Sequence, residues 1–206
     1  MFVKVCGLRE ERHVRDAVEA GADAIGFVFA DSVRRVTPAE AAAISAGVPE
    51  TVKRVAVMLH PTNDEWQAVL AGFAPDVLQT DAEDFAALDV PDSVERWPVY
   101  RQGNKVTDTL ILGLKVSVTL FPTYLYEGAR SGAGEAIDWT MAAEVARRGN
   151  MILAGGLSAE NVADAIATVR PFGVDASSAV ESSRGVKDSQ KIRDFIRAAK
   201  AAGKEV

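Results

Sequence analysis

The chain has 206 residues, 48% of them hydrophobic and 25% charged, proportions that exclude disorder, collagen-like sequence and a coiled coil and leave room for one substantial core. Its 29 acidic against 23 basic residues give a formal net charge of −6, which argues against a surface that tracks a nucleic-acid backbone. A single cysteine, Cys6, excludes an internal disulfide framework and a cluster of cysteine ligands and fits a reducing compartment, and two isolated histidines, His13 and His60, add little metal-binding capacity.

The opening Met-Phe-Val-Lys-Val-Cys lacks the basic start and apolar run of a signal peptide, and no stretch approaches the roughly 18 apolar residues of a membrane span. The expectation is a cytoplasmic protein without membrane or nucleic-acid partners. From there on, short Val-, Ile- and Phe-rich runs alternate with Ala-rich segments of helical period, a pattern that predicts parallel β-α units. Strands are expected at 3–6, 24–29, 52–59, 76–79, 97–100, 124–127, 151–154 and 173–176. Between them, Thr37-Pro38-Ala39-Glu40 and Thr62-Asn63-Asp64-Glu65 have the form of capping boxes, the first with proline at N1. Ser158 and Asp188 are expected to cap helices over 161–168 and 190–200.

Eight such units in this length sit at the compact end of the (β/α)₈ range, whereas an open doubly wound sheet uses five or six strands. The prediction is a single-domain (β/α)₈ TIM barrel over residues 1–206, since no linker, charge block or low-complexity segment marks a second domain. Residues 109–126 are so β-branched and aromatic that propensity makes them extended where the barrel needs a helix and then a strand. A short or irregular connection is expected there. An echo between Gly21-Ala22-Asp23-Ala24 and Phe172-Gly173-Val174-Asp175-Ala176 reads either as a recurrent helix-to-strand turn or as duplication.

Ligands of such a barrel bind at the C-terminal ends of its strands, so the informative positions are those where an apolar run turns polar or glycine-rich. At the first, strand alternation sends Val3 and Val5 toward the helices and Lys4 and Cys6 into the barrel. A cation beside Cys6 would lower the thiol pKa, although a buried cysteine is as readily a small hydrophobe. Arg34, after strand two, has the geometry to grip a carboxylate with two bonds or else to stand in solvent. Gln79-Thr80-Asp81 ends strand four. Glu127 ends strand six and leads into a Gly- and Ser-rich loop, 128–134, suited to closing over a ligand. Gly155-Gly156 before Ser158 reads as a tight turn or, with a helix start, as an anion site; Ser177 and Ser178 after strand eight place two hydroxyls for the same ligand, which favours phosphate.

The segments Lys4-Val5-Cys6-Gly7-Leu8, Gly21 to Phe29, Leu153-Ala154-Gly155-Gly156-Leu157, and Gly173-Val174-Asp175 through Val180-Glu181 to Val186-Lys187-Asp188 resemble, in this order, phosphoribosylanthranilate isomerase of tryptophan biosynthesis. That family performs an Amadori rearrangement, an aldose–ketose isomerisation and formally an intramolecular oxidoreduction. N-(5-phosphoribosyl)anthranilate becomes 1-(2-carboxyphenylamino)-1-deoxyribulose 5-phosphate by general acid–base catalysis. The resemblance implies a small phosphosugar substrate and no metal or organic cofactor. It matches Cys6 to the general base, Arg34 to a contact with the anthranilate carboxylate, Asp175 to a substrate contact, and Gly155, Gly156, Ser177 and Ser178 to a phosphate cradle.

Several positions depart from the family pattern. The acid is an aspartate there and Glu127 here; the extra methylene moves the proton by roughly 1 Å, a misplacement worth up to about a hundredfold in rate. A strand-four histidine is replaced by Asp81, a strand-five lysine by Arg101, and a glycine near the phosphate by Ala179. Two other readings fit the sequence. One is the analogous rearrangement of histidine biosynthesis, whose family carries an aspartate in place of Cys6 and grips two phosphates; the other is a decayed barrel that only binds a phosphosugar. The sequence leaves a monomer or a homodimer open.

Overall fold

A computed structural model of the chain describes residues 1–103, 122–128 and 137–204. Its strands are β1 (Phe2–Cys6), β2 (Ala24–Val28), β3 (Lys53–Val57), β4 (Val77–Asp81), β5 (Glu95–Arg101), β6 (Thr123–Glu127), β7 (Asn150–Leu153) and β8 (Gly173–Ala176). They follow one another in sequence order around a closed parallel barrel, with β1 paired to both β2 and β8. The helices are α1 (Glu11–Glu19), α2 (Pro38–Ile44), α3 (Asn63–Phe73), α4 (Trp139–Ala146), α5 (Val162–Val169) and α6 (Ser189–Ala202). The crossover from β4 to β5 is made by a 3₁₀ helix, Ala82–Ala87. Of the stretch read as irregular, 109–121 lies outside the described residues and 123–126 belong to β6; the loop positions 129–134 also lie outside them.

Strand alternation divides the apolar residues into two layers. One set, including Ala24, Val55, Val77, Trp97, Leu125 and Ile152, fills the barrel; the other, including Val3, Val5, Ile25, Phe27, Leu78 and Met151, packs outward with the helices. Both predicted capping boxes form: Thr37 and Thr62 accept from the backbone N–H of Glu40 and Glu65, whose carboxylates bond back. Asp188 caps α6 by accepting from Gln190 and Lys191. The expected cap at Ser158 is displaced, because residues 158–161 form a turn and Asn161 takes the N-cap position of α5. A ribbon of β9 (Glu181–Ser183) and β10 (Val186–Lys187), which the sequence reading did not foresee, follows β8.

The sequence echo does not mark a shared turn. Asp23 precedes β2 at the N-terminal end of the barrel, where its carboxylate accepts from Val3 N–H at 2.7 Å, whereas Asp175 lies within β8 and faces Lys4. Asp76 is the true counterpart of Asp23, since it precedes β4 and accepts from Arg54 N–H at 2.8 Å.

Trp66 anchors α3 in the outer layer: it is wholly buried, and its indole Nε1 donates to the Asp89 carbonyl at 2.9 Å. Trp66→Ala is expected to destabilise the fold by about 3–5 kcal/mol, read as a lower denaturation midpoint in urea, while Trp66→Phe should avoid most of that loss because it keeps an aromatic ring and gives up one hydrogen bond.

Candidate active site

β1 delivers two functional groups to the barrel interior, as its alternation predicts. Lys4 is wholly buried and its Nζ donates to Asp175 Oδ1 at 3.0 Å, across the register that pairs β1 with β8. Burial opposes the ammonium charge, but Asp175 and Cys6 outweigh it and hold the Lys4 pKa above its usual value. Cys6 ends the strand opposite Gly26, where a Cβ would stand 3.0 Å from its Sγ and 3.3 Å from its Cα. Gly26 therefore supplies the space that the thiol occupies.

The expected fall in the Cys6 pKa is reversed. Burial pushes it up, Lys4 offsets part of the rise, Asp175 adds to it and Lys187 offsets a further part. A nearby cation lowers a thiol pKa only where its attraction exceeds the loss of hydration, and this thiol is 7% exposed. Cys6 opens onto a cavity of about 150 Å³ whose walls include Arg34, Gln79, Glu127, Asp175 and Ser177. The buried Gln79 Oε1 has no hydrogen-bond partner among the described residues, which leaves an acceptor in the cavity wall.

Arg34 is not a solvated side chain; it is 8% exposed. Its Nε and Nη2 already hold Glu181 at 2.6 and 3.1 Å, so the two-bonded grip expected for a ligand carboxylate is occupied by the protein's own. These bonds use Nε and Nη2 and leave Nη1 outside the pair. Gly7 makes the packing possible: its φ is +76°, and a Cβ would lie 2.7 Å from Arg34 Cδ and 3.2 Å from Ser177 Oγ. Glu181 also accepts from Gly185 N–H at 3.0 Å and Lys187 Nζ at 2.9 Å. Burial alone would raise its pKa, but Arg34, the Gly185 N–H and Lys187 lower it to about 2. Lys187 in turn donates to the Ser177 carbonyl at 2.7 Å, linking the arginine to the loop after β8.

The other side of the rim is a chain of charges. Glu127, 8% exposed, pairs with Arg101 on the neighbouring strand. The same guanidinium holds Asp81 through Nη2 at 2.6 Å and Nε at 3.2 Å. His60, an exposed residue with φ +47°, stands 3.6 Å from Asp81 and 3.0 Å from Asp84; its pKa is raised, first by the hydrogen bond to Asp84.

All four phosphate candidates converge. Gly155, Gly156, Ser177 and Ser178 line one cavity of about 40 Å³ together with Glu127 and Asp175. The two glycines have φ of +97° and +66°, conformations that strain any residue with a Cβ. Because a turn separates them from α5, what this cavity could offer an anion is loop backbone and serine hydroxyls, and the expected helix start is not among its walls. Asn161 fastens this loop by donating to the Gly156 carbonyl at 2.9 Å and accepting from Ser158 N–H at 2.8 Å. Glu181, Lys187 and Asn161 carried no role in the sequence reading. The available signal for the first two was Ser183-Arg184-Gly185, a turn that brings a carboxylate and an ammonium together across a hairpin.

The sequence profile described as N-(5'phosphoribosyl)anthranilate (PRA) isomerase matches residues 3–198. An N-(5'-phosphoribosyl)anthranilate isomerase from Listeria innocua is 37% identical over 217 aligned residues, covering 99% of this chain and all of that protein. One from Pseudomonas fluorescens is 40% identical, covering 95% and 96%. The crystal structure of phosphoribosyl anthranilate isomerase from Thermotoga maritima superposes with a TM-score of 0.82 at 30% identity, covering 98% and 99% of the two chains. A phosphoribosyl anthranilate isomerase in complex with reduced 1-(o-carboxyphenylamino)-1-deoxyribulose 5-phosphate does so with a TM-score of 0.80 at 29% identity.

Glu181 makes stability depend on acid. Its folded-state pKa of about 2 lies below the ordinary 4.5, so its contribution is complete above pH 4.5 and is lost as pH falls toward 2. Thermal unfolding followed between those limits should show that loss in the wild type, whereas Glu181→Gln should be less stable at pH 7 and show a shallower fall in acid. Gly26→Ala should leave the fold intact and lower kcat about tenfold or more, because it crowds the thiol out of its place.

Proposed function

The chain belongs to the N-(5'-phosphoribosyl)anthranilate isomerase family, and from that premise we infer how its rim residues divide the work of one reaction. The reaction is the Amadori rearrangement of N-(5-phosphoribosyl)anthranilate to 1-(2-carboxyphenylamino)-1-deoxyribulose 5-phosphate, a step of tryptophan biosynthesis. The observation that carries the assignment is the shared cavity, in which a thiol and a carboxyl end different strands and face one space with a carboxylate-seeking arginine on its wall.

Glu127, in its acid form, donates a proton to the ribose ring oxygen; the ring C–O bond breaks and the anilino nitrogen forms the C=N bond of a Schiff base. The Cys6 thiolate then takes the proton from C2, and that electron pair moves to give an enolamine, which tautomerises to the ketose. A thiol whose pKa is raised by burial is a stronger base once ionised, at the expense of a smaller ionised fraction at neutral pH. Lys4 and Lys187 oppose that expense by their charge.

The remaining residues bind. Gly155, Gly156, Ser177 and Ser178 take the phosphate, Arg34 the anthranilate carboxylate, and Asp175 and Gln79 offer acceptors to sugar hydroxyls from the cavity wall. Phosphate then sits beside Glu127 and Asp175, two carboxyl groups of its own sign. Lys4 offsets the charge of Asp175, and a protonated Glu127 removes its own, which ties phosphate binding to the protonation state that the first step requires.

Following the fluorescence of enzymatically generated substrate, Cys6→Ala and Glu127→Gln should each lower kcat by about 10²–10⁴, while Arg34→Met should chiefly raise KM. Undiminished turnover in both of the first two variants would remove the assignment. The wild-type chain should restore growth to a tryptophan auxotroph that lacks this step.

A further inference from the structure

The charge chain at the rim sets a problem for a general acid. Arg101 lies against Glu127, and a lone cation in contact with a carboxyl favours the ionised form, which has no proton to give. The same guanidinium is held from its other edge by two bonds to Asp81, 2.6 and 3.2 Å. One cation thus stands between two carboxyl groups. With Glu127 ionised the trio carries a net negative charge; with Glu127 protonated, Asp81 and Arg101 form a neutral pair and the trio carries none.

We propose that Asp81 and Arg101 are positioning residues for Glu127: Arg101, pinned by Asp81, fixes the longer side chain's carboxyl at the rim, and the Asp81 charge keeps Arg101 from depriving that carboxyl of its proton. This rests on Glu127 being the general acid. It makes one unit of three departures from the family pattern, Glu127, Asp81 and Arg101, which adjoin one another on β6, β4 and β5. The clamp answers the geometric cost of the extra methylene, and the second carboxylate answers the electrostatic cost of the clamp.

Charge reaches Glu127 from several elements among the described residues. Arg101 on β5 and Asp81 on β4 are in the trio; Asp175 on β8, with Lys4 and Cys6 on β1 behind it, lies across the cavity. His60 acts at one remove, through Asp81 at 3.6 Å, and Asp84 at two, through His60 at 3.0 Å. Of the groups named, Asp81 is the one bonded to the guanidinium that touches Glu127.

The consequence is measurable because a thiol ordinarily ionises well above a carboxyl. The productive state, thiolate with carboxylic acid, is then a minority species, and between the two pKa values its fraction is constant and falls tenfold for each unit that separates them. In a pH profile of kcat/KM, which reports groups of the free enzyme, the lower limb belongs to the carboxyl and the upper limb to the thiol. Asp81→Asn should move the lower limb to more acid pH by about one pH unit and lower the plateau about tenfold. Arg101→Gln should move that limb the other way, and the double variant should bring it back toward the wild type. The upper limb stays in place throughout, and His60→Gln should move the lower limb by less than Asp81→Asn does.

Glu127→Gln separates the two claims. If it is inactive while Asp81→Asn and Arg101→Gln lower kcat/KM equally at every pH with both limbs unmoved, Glu127 remains the acid and the positioning role is overturned. If Glu127→Gln retains full activity, the assignment of the acid fails, and this inference fails with it. Thermal unfolding of each variant at pH 7 identifies any that has simply lost its fold, and for such a variant Arg101→Lys, which keeps the cation and gives up the two-bonded hold on Asp81, replaces it, with a lower limb at more acid pH as the expected result and an unmoved limb as the one that overturns the proposal.

Discussion

A lysine sealed inside a barrel must have a counter-ion, and the arrangement of this site depends on that requirement. An isolated ammonium group would be far too costly to bury, so Lys4 on β1 must meet Asp175 on β8, and the meeting fixes the register of the two strands that close the barrel. Closure in that register places Cys6 two residues further along β1, at the rim, with Gly26 of β2 yielding it space. The ion pair is therefore both the constraint on the fold and the electrostatic floor of the cavity.

Two further ion networks stand on that floor, and each holds an arginine with the protein's own carboxyl groups. Arg34 is held by Glu181, which Lys187 and a backbone N–H also hold, and Arg101 is shared by Asp81 and Glu127. Both guanidinium groups are thereby fixed before a substrate arrives, which lowers the entropy lost on binding. The arrangement also suits a chain of net charge −6: an anionic substrate is drawn by local cations and loop N–H groups against the sign of the whole molecule. Each of these cations is paired with at least one carboxylate: Lys4 with Asp175, Arg34 and Lys187 with the same Glu181, and Arg101 with Asp81 and Glu127.

Much of the fold could be read along the chain. The eight strands appear where apolar runs were found, because a β-strand that packs on both faces is hydrophobic in nearly every residue and bounded by turn residues. Three of the four predicted caps form where predicted, since a capping box is made by residues three apart and needs no tertiary partner. Ser158 failed as a cap for the same local reason, since Asn161 competes for the same turn from three residues away. The ribbon at 181–187 went unseen because its strands are three and two residues long, too short for a periodic pattern.

The candidate site divides differently. The sequence by itself determined that Cys6, Arg34, Glu127, the glycine pair and the serine pair stand at strand ends, because strand parity and strand ends are local properties, while Asp175 was reached through the family resemblance. It also determined that Gly26 and Gly7 are glycines, although the reason for each is a side chain distant in sequence. The tertiary structure alone decided the electrostatics. Whether the cation beside Cys6 lowers its pKa depends on how much water burial removes; whether Arg34 is solvated or held depends on Glu181, 147 residues away; and whether Arg101 confronts or serves Glu127 depends on Asp81. Charge interactions act through space and are scaled by burial, and neither quantity is written along a chain until the barrel has closed.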